Sequence, residues 1–143
     1  MFQNVRSLHL HKEDVACDYS VRAAHLNIFV ESALCSKDND EAYNMDNFHL
    51  YRNDYDPQNS TRTTYGTAVY VRNDIECLCD PFRWNYNSTE ITVCTINVHA
   101  CKVHFVGIYR SKSKVTLSKL IEALEHLHQT ILTDPQTPAI LYR

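Results

Sequence analysis

The sequence predicts a layered α/β or α+β domain in which helices pack against mostly antiparallel strands. Residues 89–97 (TEITVCTIN) are rich in β-branched side chains and place successive residues on opposite faces, as a strand does. From Leu117 to Leu132, apolar residues recur every three or four positions and form one helical stripe. The chain has 143 residues, of which 44% are hydrophobic, so we expect one domain with a packed core.

The first half of the chain alternates short apolar segments with polar loops. Its predicted elements, in order, are a short strand in residues 1–5, a helix near Glu13–Ser20 capped by Asp14, and strands at 26–30, 48–52 and 67–72. The Asx-rich residues 35–47 and the polar residues 53–64 read as loops.

The second half has longer patterns. Its predicted elements are a short strand at 75–80, a hairpin formed by strands 89–97 and 102–109, a helix at 117–132 with Thr116 as its N-cap, and a strand at 138–141. Asp134-Pro135 ends the predicted helix, because proline cannot continue it.

The charge and cysteine content limit the classes of protein. The net charge is −3, with 14 basic and 17 acidic residues, which disfavours broad coating of nucleic acid but allows a local phosphate site. No apolar run has the length of a membrane span, and the N-terminus lacks the apolar core of a secretory signal. None of the six cysteines forms a C-x-x-C pair, so we interpret them as structural or buried thiols of a reducing compartment.

Two polar residues stand at predicted strand ends in the first half of the chain. Glu31 stops the apolar run Leu26–Val30, and Asn4 follows the first short strand. A strand end holds its side chain rigidly at a sheet edge, where a carboxylate can act on a ligand. The alternative is a solvated residue at the start of a loop, and position alone leaves both readings open.

A cluster of cations follows the strongest predicted strand. Tyr109 and Arg110 close that strand, and Lys112 and Lys114 follow among serines. Cations beside hydroxyl groups and backbone N–H groups suit a phosphate. An ordinary solvated basic loop explains the same charges.

Several short motifs, taken in order, resemble the endonuclease/exonuclease/phosphatase superfamily. They are NVRSL at 4–8, IFVES at 28–32, YGTAVYVR at 65–72, EITV at 90–93 and VGIYR at 106–110, followed by a helix. The similarity is greatest to the endonucleases of mobile elements, either LINE-type or Helitron-associated. It spans the chain and implies the N-terminal part of a four-layer α/β/β/α sandwich, truncated at its C-terminus.

The resemblance also implies roles for the candidate residues. Glu31 would bind a catalytic divalent metal, Mg²⁺ or Mn²⁺, and Asn4 would help to hold it. Tyr109 would contact the scissile phosphate, and Arg110 would bind the phosphate beside it. Hard cations take oxygen ligands, which agrees with Glu31 and Asn4.

Two motifs of the superfamily have no match in these 143 residues. In members of the superfamily, the strand that corresponds to PAIL at 138–141 is followed by Gly-Asp-Phe-Asn. In this sequence, Tyr142 and Arg143 follow instead. A later Asp-His pair is also absent. We therefore expect residues 1–143 to be a partial domain, inactive as this fragment.

The resemblance implies DNA as the partner and no membrane. In a full-length element, a helicase or reverse-transcriptase module would follow, and such an endonuclease would be intracellular and act in the nucleus. The alternatives are a non-catalytic, transposon-derived remnant that binds nucleic acid, and a phosphatase of inositol phosphates or lipids.

Overall fold

The chain forms two compact units, Met1–Glu76 and Cys77–Arg143. The structure is a computed structural model and describes residues 1–54, 66–78, 81–86, 89–110, 117–130 and 139–142. Each unit contains one four-stranded sheet. This mixed α/β architecture confirms the predicted fold class.

The first unit builds its sheet from β1 to β4 in the order β1-β2-β4-β3. Its elements are β1 (Phe2–Asn4), α1 (Leu8–Cys17), α2 (Tyr19–Ala23), β2 (Leu26–Val30), a 3₁₀ turn (Asp40–Tyr43), β3 (Phe48–Asn53) and β4 (Thr67–Arg72). Strand β1 runs parallel to β2, while β4 runs antiparallel to β2 and to β3. The parallel pair places the carboxyl ends of β1 and β2 at the same edge of the sheet.

Strand β2 lies at the centre of the first unit. All five of its residues are buried, as its continuous apolar run predicts. Phe29 on β2 meets Tyr70 on β4 edge to face, with ring centroids 5.7 Å apart. Leu8 and Val15 of α1 belong to the same core, so a helix covers this side of the sheet.

The helical region of the first unit differs from the prediction. Helix α1 begins at Leu8 rather than near Glu13, and a second short helix, α2, follows. Asp14 lies inside α1, whereas Asp18 caps α2 by accepting from the backbone N–H of Ser20 at 2.7 Å and of Val21. A chain turn at Asp18, where φ is −67° and ψ is 119°, separates the two helices.

The second unit builds its sheet in the order β5-β6-β7-β8. Its elements are β5 (Phe82–Tyr86), β6 (Thr89–Val98), β7 (Cys101–Arg110), α3 (Leu117–Thr130) and β8 (Ala139–Tyr142). Strands β6 and β7 pair along ten residues as the predicted hairpin. His99 and Ala100 form the turn, both with positive φ, as a two-residue hairpin turn needs.

Helix α3 packs its apolar stripe on this second sheet. Leu120, Ala123 and Leu127 are buried, and they share a core with apolar residues of β6 and β7. Leu117 and Ile121 are exposed. The predicted N-cap Thr116, residues 131–132 of the predicted helix and the Asp134-Pro135 stop signal lie outside the described residues.

One predicted strand was wrong, and one observed strand was not predicted. Residues 75–78 form no strand, and only an isolated bridge joins Cys77 to Ile96, while residues 79–80 lie outside the described ranges. Strand β5 was not predicted, because Pro81 and the asparagines around it resemble a loop. Among the helices in the described part of the chain, none has the length and apolar character needed to cross a membrane.

Candidate active site

Asn4 and Glu31 lie at neighbouring strand ends in the first unit. Strands β1 and β2 are parallel, and Asn4 is level with Val30, the residue before Glu31. The next rung is a hydrogen bond of 3.1 Å from the Val5 N–H to the Val30 carbonyl. Asn4 is exposed and Glu31 is partly buried, so both side chains reach solvent.

The backbone is strained immediately after both strand ends. Glu31 and Ala33 have φ values of 57° and 60°, and Arg6 and Ser7 have φ values of 53° and 115°. These conformations are uncommon for residues with a Cβ atom, and they persist where the surroundings fix them. Such strain is concentrated at functional sites, which favours the functional reading of Glu31 over a simple loop start.

Backbone hydrogen bonds hold this strained edge in place. The Ser32 N–H donates to the Gly66 carbonyl at 3.1 Å, and the Leu8 N–H donates to the Ser32 carbonyl at 2.8 Å. The residue after Glu31 is therefore tied both to the segment before β4 and to the start of α1. These bonds fix the direction in which the Glu31 backbone leaves the sheet.

The Asn4 side chain is oriented by its own chain. Its Oδ1 accepts a hydrogen bond of 3.0 Å from the Arg6 N–H. An amide oxygen has two lone pairs, so one remains for a cation or a water molecule. The turn after β1 thus orients the amide oxygen of Asn4 at the sheet edge.

A chain of three aromatic side chains supports the segment that follows Glu31. The His9 ring nitrogen Nε2 lies 3.2 Å from the Ala33 carbonyl oxygen, and Nδ1 lies 2.6 Å from the Tyr43 hydroxyl. A carbonyl oxygen only accepts, so Nε2 carries the hydrogen and Nδ1 accepts from Tyr43 when the ring is neutral. The Tyr70 hydroxyl donates to the Tyr43 carbonyl at 2.7 Å and links this chain to β4.

Burial acts on the two phenols of this chain. It raises the pKa of the Tyr43 hydroxyl above its usual value, and the negative charge of nearby Asp38 adds to the effect. Burial also raises the pKa of Tyr70. Both hydroxyls therefore stay protonated and able to donate at neutral pH.

Arg52, at the end of β3, ties down the loop beyond Ala33. Only 9% of its side chain is exposed. Its guanidinium donates to the carbonyl oxygens of Cys35 and Asp38 at 2.9 and 2.8 Å. It also pairs with Asp40 and Asp54, each at 2.6 Å, and the hydrogen bond to Asp54 is the main reason that its pKa is raised.

Tyr109 and Arg110 lie in the second unit, at the end of β7. Tyr109 is level with Glu90 and Arg110 with Thr89 on β6, and both are partly buried. Lys112 and Lys114 lie outside the described residues. The structure therefore brings Asn4 and Glu31 to one sheet edge, and their convergence with Tyr109 stays a prediction.

The donors at the sheet edge suit a hard divalent cation. The Glu31 carboxylate and the Asn4 amide offer oxygen ligands, and Mg²⁺ commonly takes one or two carboxylates and keeps several waters. Within the described ranges, no three or more His, Cys, Asp and Glu side chains gather into a metal cluster. The oxygen atoms of Glu31 and Asn4 fit Mg²⁺ or Mn²⁺ better than zinc, which prefers four convergent nitrogen or sulfur ligands.

Arg52 and the aromatic chain of His9, Tyr43 and Tyr70 were not found from the sequence. Apart from Asp54, their partners lie between 12 and 34 residues away along the chain. A local pattern carries no trace of such contacts. The one local signal was Asp54, two residues after Arg52, which forms the bidentate pair.

Comparison with known protein families and with curated proteins gave no match. Solved structures do match, and they define the class of fold. The chain has the fold of the endonuclease/exonuclease/phosphatase proteins, as likeness to a family member from Leptotrichia buccalis shows, with a TM-score of 0.57 and 15% identity. That match covers 91% of this chain and 61% of the other.

Similar structures also include TDP2 and an AP endonuclease. For D. rerio TDP2 complexed with a single-strand DNA product, the TM-score is 0.64 at 15% identity, and the match covers 98% of this chain and 57% of TDP2. For AP endonuclease LMAP from Leishmania major, the TM-score is 0.55 at 13% identity, with 94% and 45% covered. The chain thus spans about half the length of these proteins, and identities this low show the fold alone.

Proposed function

We propose that the chain is part of a metal-dependent phosphodiesterase that acts on DNA, similar to the endonucleases of mobile elements. One observation carries the proposal. Asn4 and Glu31, which the motifs single out, stand at the ends of adjacent parallel strands in a fold shared with nucleases. The strained backbone at both ends, held by hydrogen bonds, supports a site rather than a loop.

In this proposal, Asn4 and Glu31 hold a divalent cation, Mg²⁺ or Mn²⁺. When bound, such a cation neutralises the negative charge that develops on phosphoryl oxygens. Glu31 supplies a fixed negative charge, and the Asn4 amide supplies a neutral oxygen oriented by the Arg6 N–H. Because the backbone around Glu31 is already fixed, little ordering is needed when the ion binds.

Tyr109, Arg110, Lys112 and Lys114 are proposed to bind the DNA phosphate. A tyrosine hydroxyl donates one hydrogen bond, and an arginine can donate two parallel ones to a phosphate. With a net charge of −3, the chain needs this local group of cations to attract DNA. That TDP2 was crystallised with single-strand DNA makes such DNA the first ligand to test.

The 143-residue chain is further proposed to bind DNA without cleaving it. It contains no Gly-Asp-Phe-Asn and no Asp-His pair, and loss of a catalytic acid or base typically lowers a rate by about 10²–10⁴-fold. DNA binding without cleavage is expected of two kinds of protein. One is a piece of a larger nuclear endonuclease that also carries a helicase or reverse-transcriptase module, and the other is a transposon-derived remnant. No residue in the described part of the chain favours the alternative of a phosphatase that acts on inositol phosphates or lipids.

Binding of Mn²⁺ tests the metal site directly. The solution electron paramagnetic resonance signal of Mn²⁺ disappears when the ion binds, which gives an affinity without any activity. Glu31→Gln is expected to weaken binding at least about 10-fold, because it removes the charged ligand. Glu13→Gln, which alters an exposed carboxylate on α1, is the matched control and is expected to bind as the wild type does.

Two results would contradict this metal site. Equal affinity of the wild type and Glu31→Gln would exclude Glu31 as a ligand. An equal loss in both variants would point to nonspecific binding. Circular dichroism of each variant ensures that the folded proteins are compared.

Fluorescence anisotropy with a labelled single-strand oligonucleotide, beside a plasmid-nicking assay with Mg²⁺, tests DNA binding without cleavage. Arg110→Ala is expected to weaken binding and to reduce its salt dependence, because it removes a phosphate contact. Arg83→Ala, an exposed arginine on β5, is the control. Nicking is expected to be absent or equal in the wild type and Glu31→Gln, and nicking that Glu31→Gln abolishes would show that the fragment is catalytic.

A further inference from the structure

Two cysteine thiols face each other at the start of the second unit. The Sγ atoms of Cys77 and Cys94 are 3.8 Å apart. Cys77 forms an isolated antiparallel bridge with Ile96 on β6, and the Leu78 N–H donates to the Thr95 carbonyl at 3.0 Å. The backbone therefore holds the two thiols close, because Cys94 is two residues before Ile96 on the same strand.

The two thiols differ in their access to solvent. Cys94 is fully buried, with 0% of its surface exposed. Cys77 is partly exposed. A dissolved oxidant can therefore reach Cys77 directly. Cys94 is shielded by burial, so it reacts with a mixed disulfide already formed at Cys77.

We propose that Cys77 and Cys94 form a redox modification site, which a low-molecular-weight disulfide such as glutathione disulfide converts into an intramolecular disulfide. Cys77, as its thiolate, attacks one sulfur of the oxidant, breaks that S–S bond and releases one thiol. Cys94, as its thiolate, then attacks the Cys77 sulfur of the mixed disulfide and releases the second thiol. The protein loses two thiol hydrogens, and the oxidant is reduced to two thiols.

To form a disulfide, the two sulfurs must approach from 3.8 Å to about 2.05 Å. Cys94 lies two residues from Ile96, the level partner of Cys77, and Cα atoms in such a diagonal position are typically about 7–8 Å apart. Closure therefore moves the backbone at Cys77 as well as the two side chains. The bond would close a loop from residue 77 to residue 94 that contains β5. Closing such a loop restricts the unfolded chain, so oxidation should raise the melting temperature of the second unit.

Other cysteines provide internal comparisons. Cys17 and Cys101 are exposed, so glutathione disulfide can reach both. No contact with a second sulfur is described for either, so each should stop at a mixed disulfide with one glutathione. Cys79, two residues after Cys77, lies outside the described residues and must be separated from Cys77 by substitution.

Intact mass spectrometry of the folded 143-residue chain, after incubation with glutathione disulfide at low protein concentration, tests the proposal. In the wild type and Cys79→Ser, the glutathione adducts expected at Cys17 and Cys101 raise the mass, and the new disulfide lowers it by two hydrogens. Peptide mapping is expected to assign that disulfide to residues 77 and 94. Cys77→Ser should lose this disulfide and leave residue 94 unmodified. Cys94→Ala should hold one glutathione at Cys77.

Three results would overturn the proposal. They are a stable glutathione adduct on Cys77 in the wild type, a disulfide from Cys94 to Cys79, and no reaction at Cys77 under conditions that modify Cys17 and Cys101. The melting temperature gives a second measurement that does not depend on mapping. It should rise by several degrees on oxidation of the wild type, return after reduction, and not rise in Cys77→Ser.

Discussion

Two buried threonine hydroxyl groups on β6 differ in whether they form a hydrogen bond. The Thr95 hydroxyl oxygen lies 2.7 Å from Nδ1 of buried His104 on β7. The Thr92 hydroxyl, also buried, has no hydrogen-bond partner in the described structure. A buried hydroxyl without a partner costs free energy, because water satisfied it in the unfolded chain.

Replacement of each threonine by valine, which has nearly the same shape, should separate these two cases. Thr92→Val is expected to raise the free energy of unfolding by about 1 kcal/mol, since it removes an unpaired polar atom. Thr95→Val is expected to lower it by about 1–2 kcal/mol, since it leaves His104 Nδ1 without this partner. Urea denaturation measures both, and destabilisation by Thr92→Val would show that its hydroxyl is bonded in solution.

The two candidate site residues of the first unit also show what one sequence can reveal at this scale. Glu31 and Asn4 were predicted because each interrupts a strand pattern and matches a motif. The positive φ of Glu31 was not predicted, because serine and alanine follow it rather than a glycine that would mark a turn. A strained residue that is not glycine gives no sequence signal.

At the scale of elements, predictions succeeded where a pattern is long and local. Strands β6 and β7 and helix α3 came within a few residues of their observed bounds, because each has a clear period. Helix α1 was misplaced, because residues 7–20 mix polar and apolar side chains without a clear helical period. Its place is set by Leu8 and Val15, which pack in the core of the first unit.

Arg52 shows how one side chain can hold an element that lacks regular structure. Its guanidinium joins the loop after Ala33 to the end of β3 by bonds to Cys35, Asp38 and Asp40. Arg72 on β4 forms a comparable bidentate pair with Asp74, but on a more exposed surface. Two arginines in the same local sequence, Arg-Asn-Asp, therefore differ in their contacts, since Arg52 also binds a distant loop.

Arg52→Ala is expected to lower the free energy of unfolding by about 2–4 kcal/mol, because it leaves the partly buried Asp54 carboxylate and two carbonyl groups without their donor. Arg72→Ala, the matched control, should lower it much less than Arg52→Ala does, since exposed pairs contribute little. Hydrogen exchange should show faster exchange of residues 33–40 in Arg52→Ala alone. Equal effects of the two substitutions would contradict a special role for Arg52.

For the whole molecule, the sequence predicted the class of fold and the order of most strands, but not the division into two units. The order follows from local periods along the chain. The pairing of β1 with β2 and of β7 with β8, both parallel, depends on contacts between distant segments. Neither pairing was predicted, because no local pattern records which distant strands lie side by side.

Stability of the folded chain should fall at alkaline pH, and Tyr70 should account for part of the fall. Burial raises the pKa of Tyr70 above its usual value of 10.0, so the folded protein keeps a proton that the unfolded chain loses. The stabilisation is therefore complete below about pH 10 and is lost as the pH rises above it. One such group changes the free energy of unfolding by up to about 1.4 kcal/mol per pH unit.

Tyr70→Phe should remove this contribution and flatten the alkaline slope. At about pH 8, where an ordinary phenol is protonated, the variant should be less stable by about 1 kcal/mol because its hydrogen bond to the Tyr43 carbonyl is lost. Above pH 10, the difference should shrink and then reverse, because unfolding of the wild type alone releases the Tyr70 proton. Urea denaturation across this range measures both slopes, and parallel slopes would show that Tyr70 ionises equally in the folded and unfolded chains.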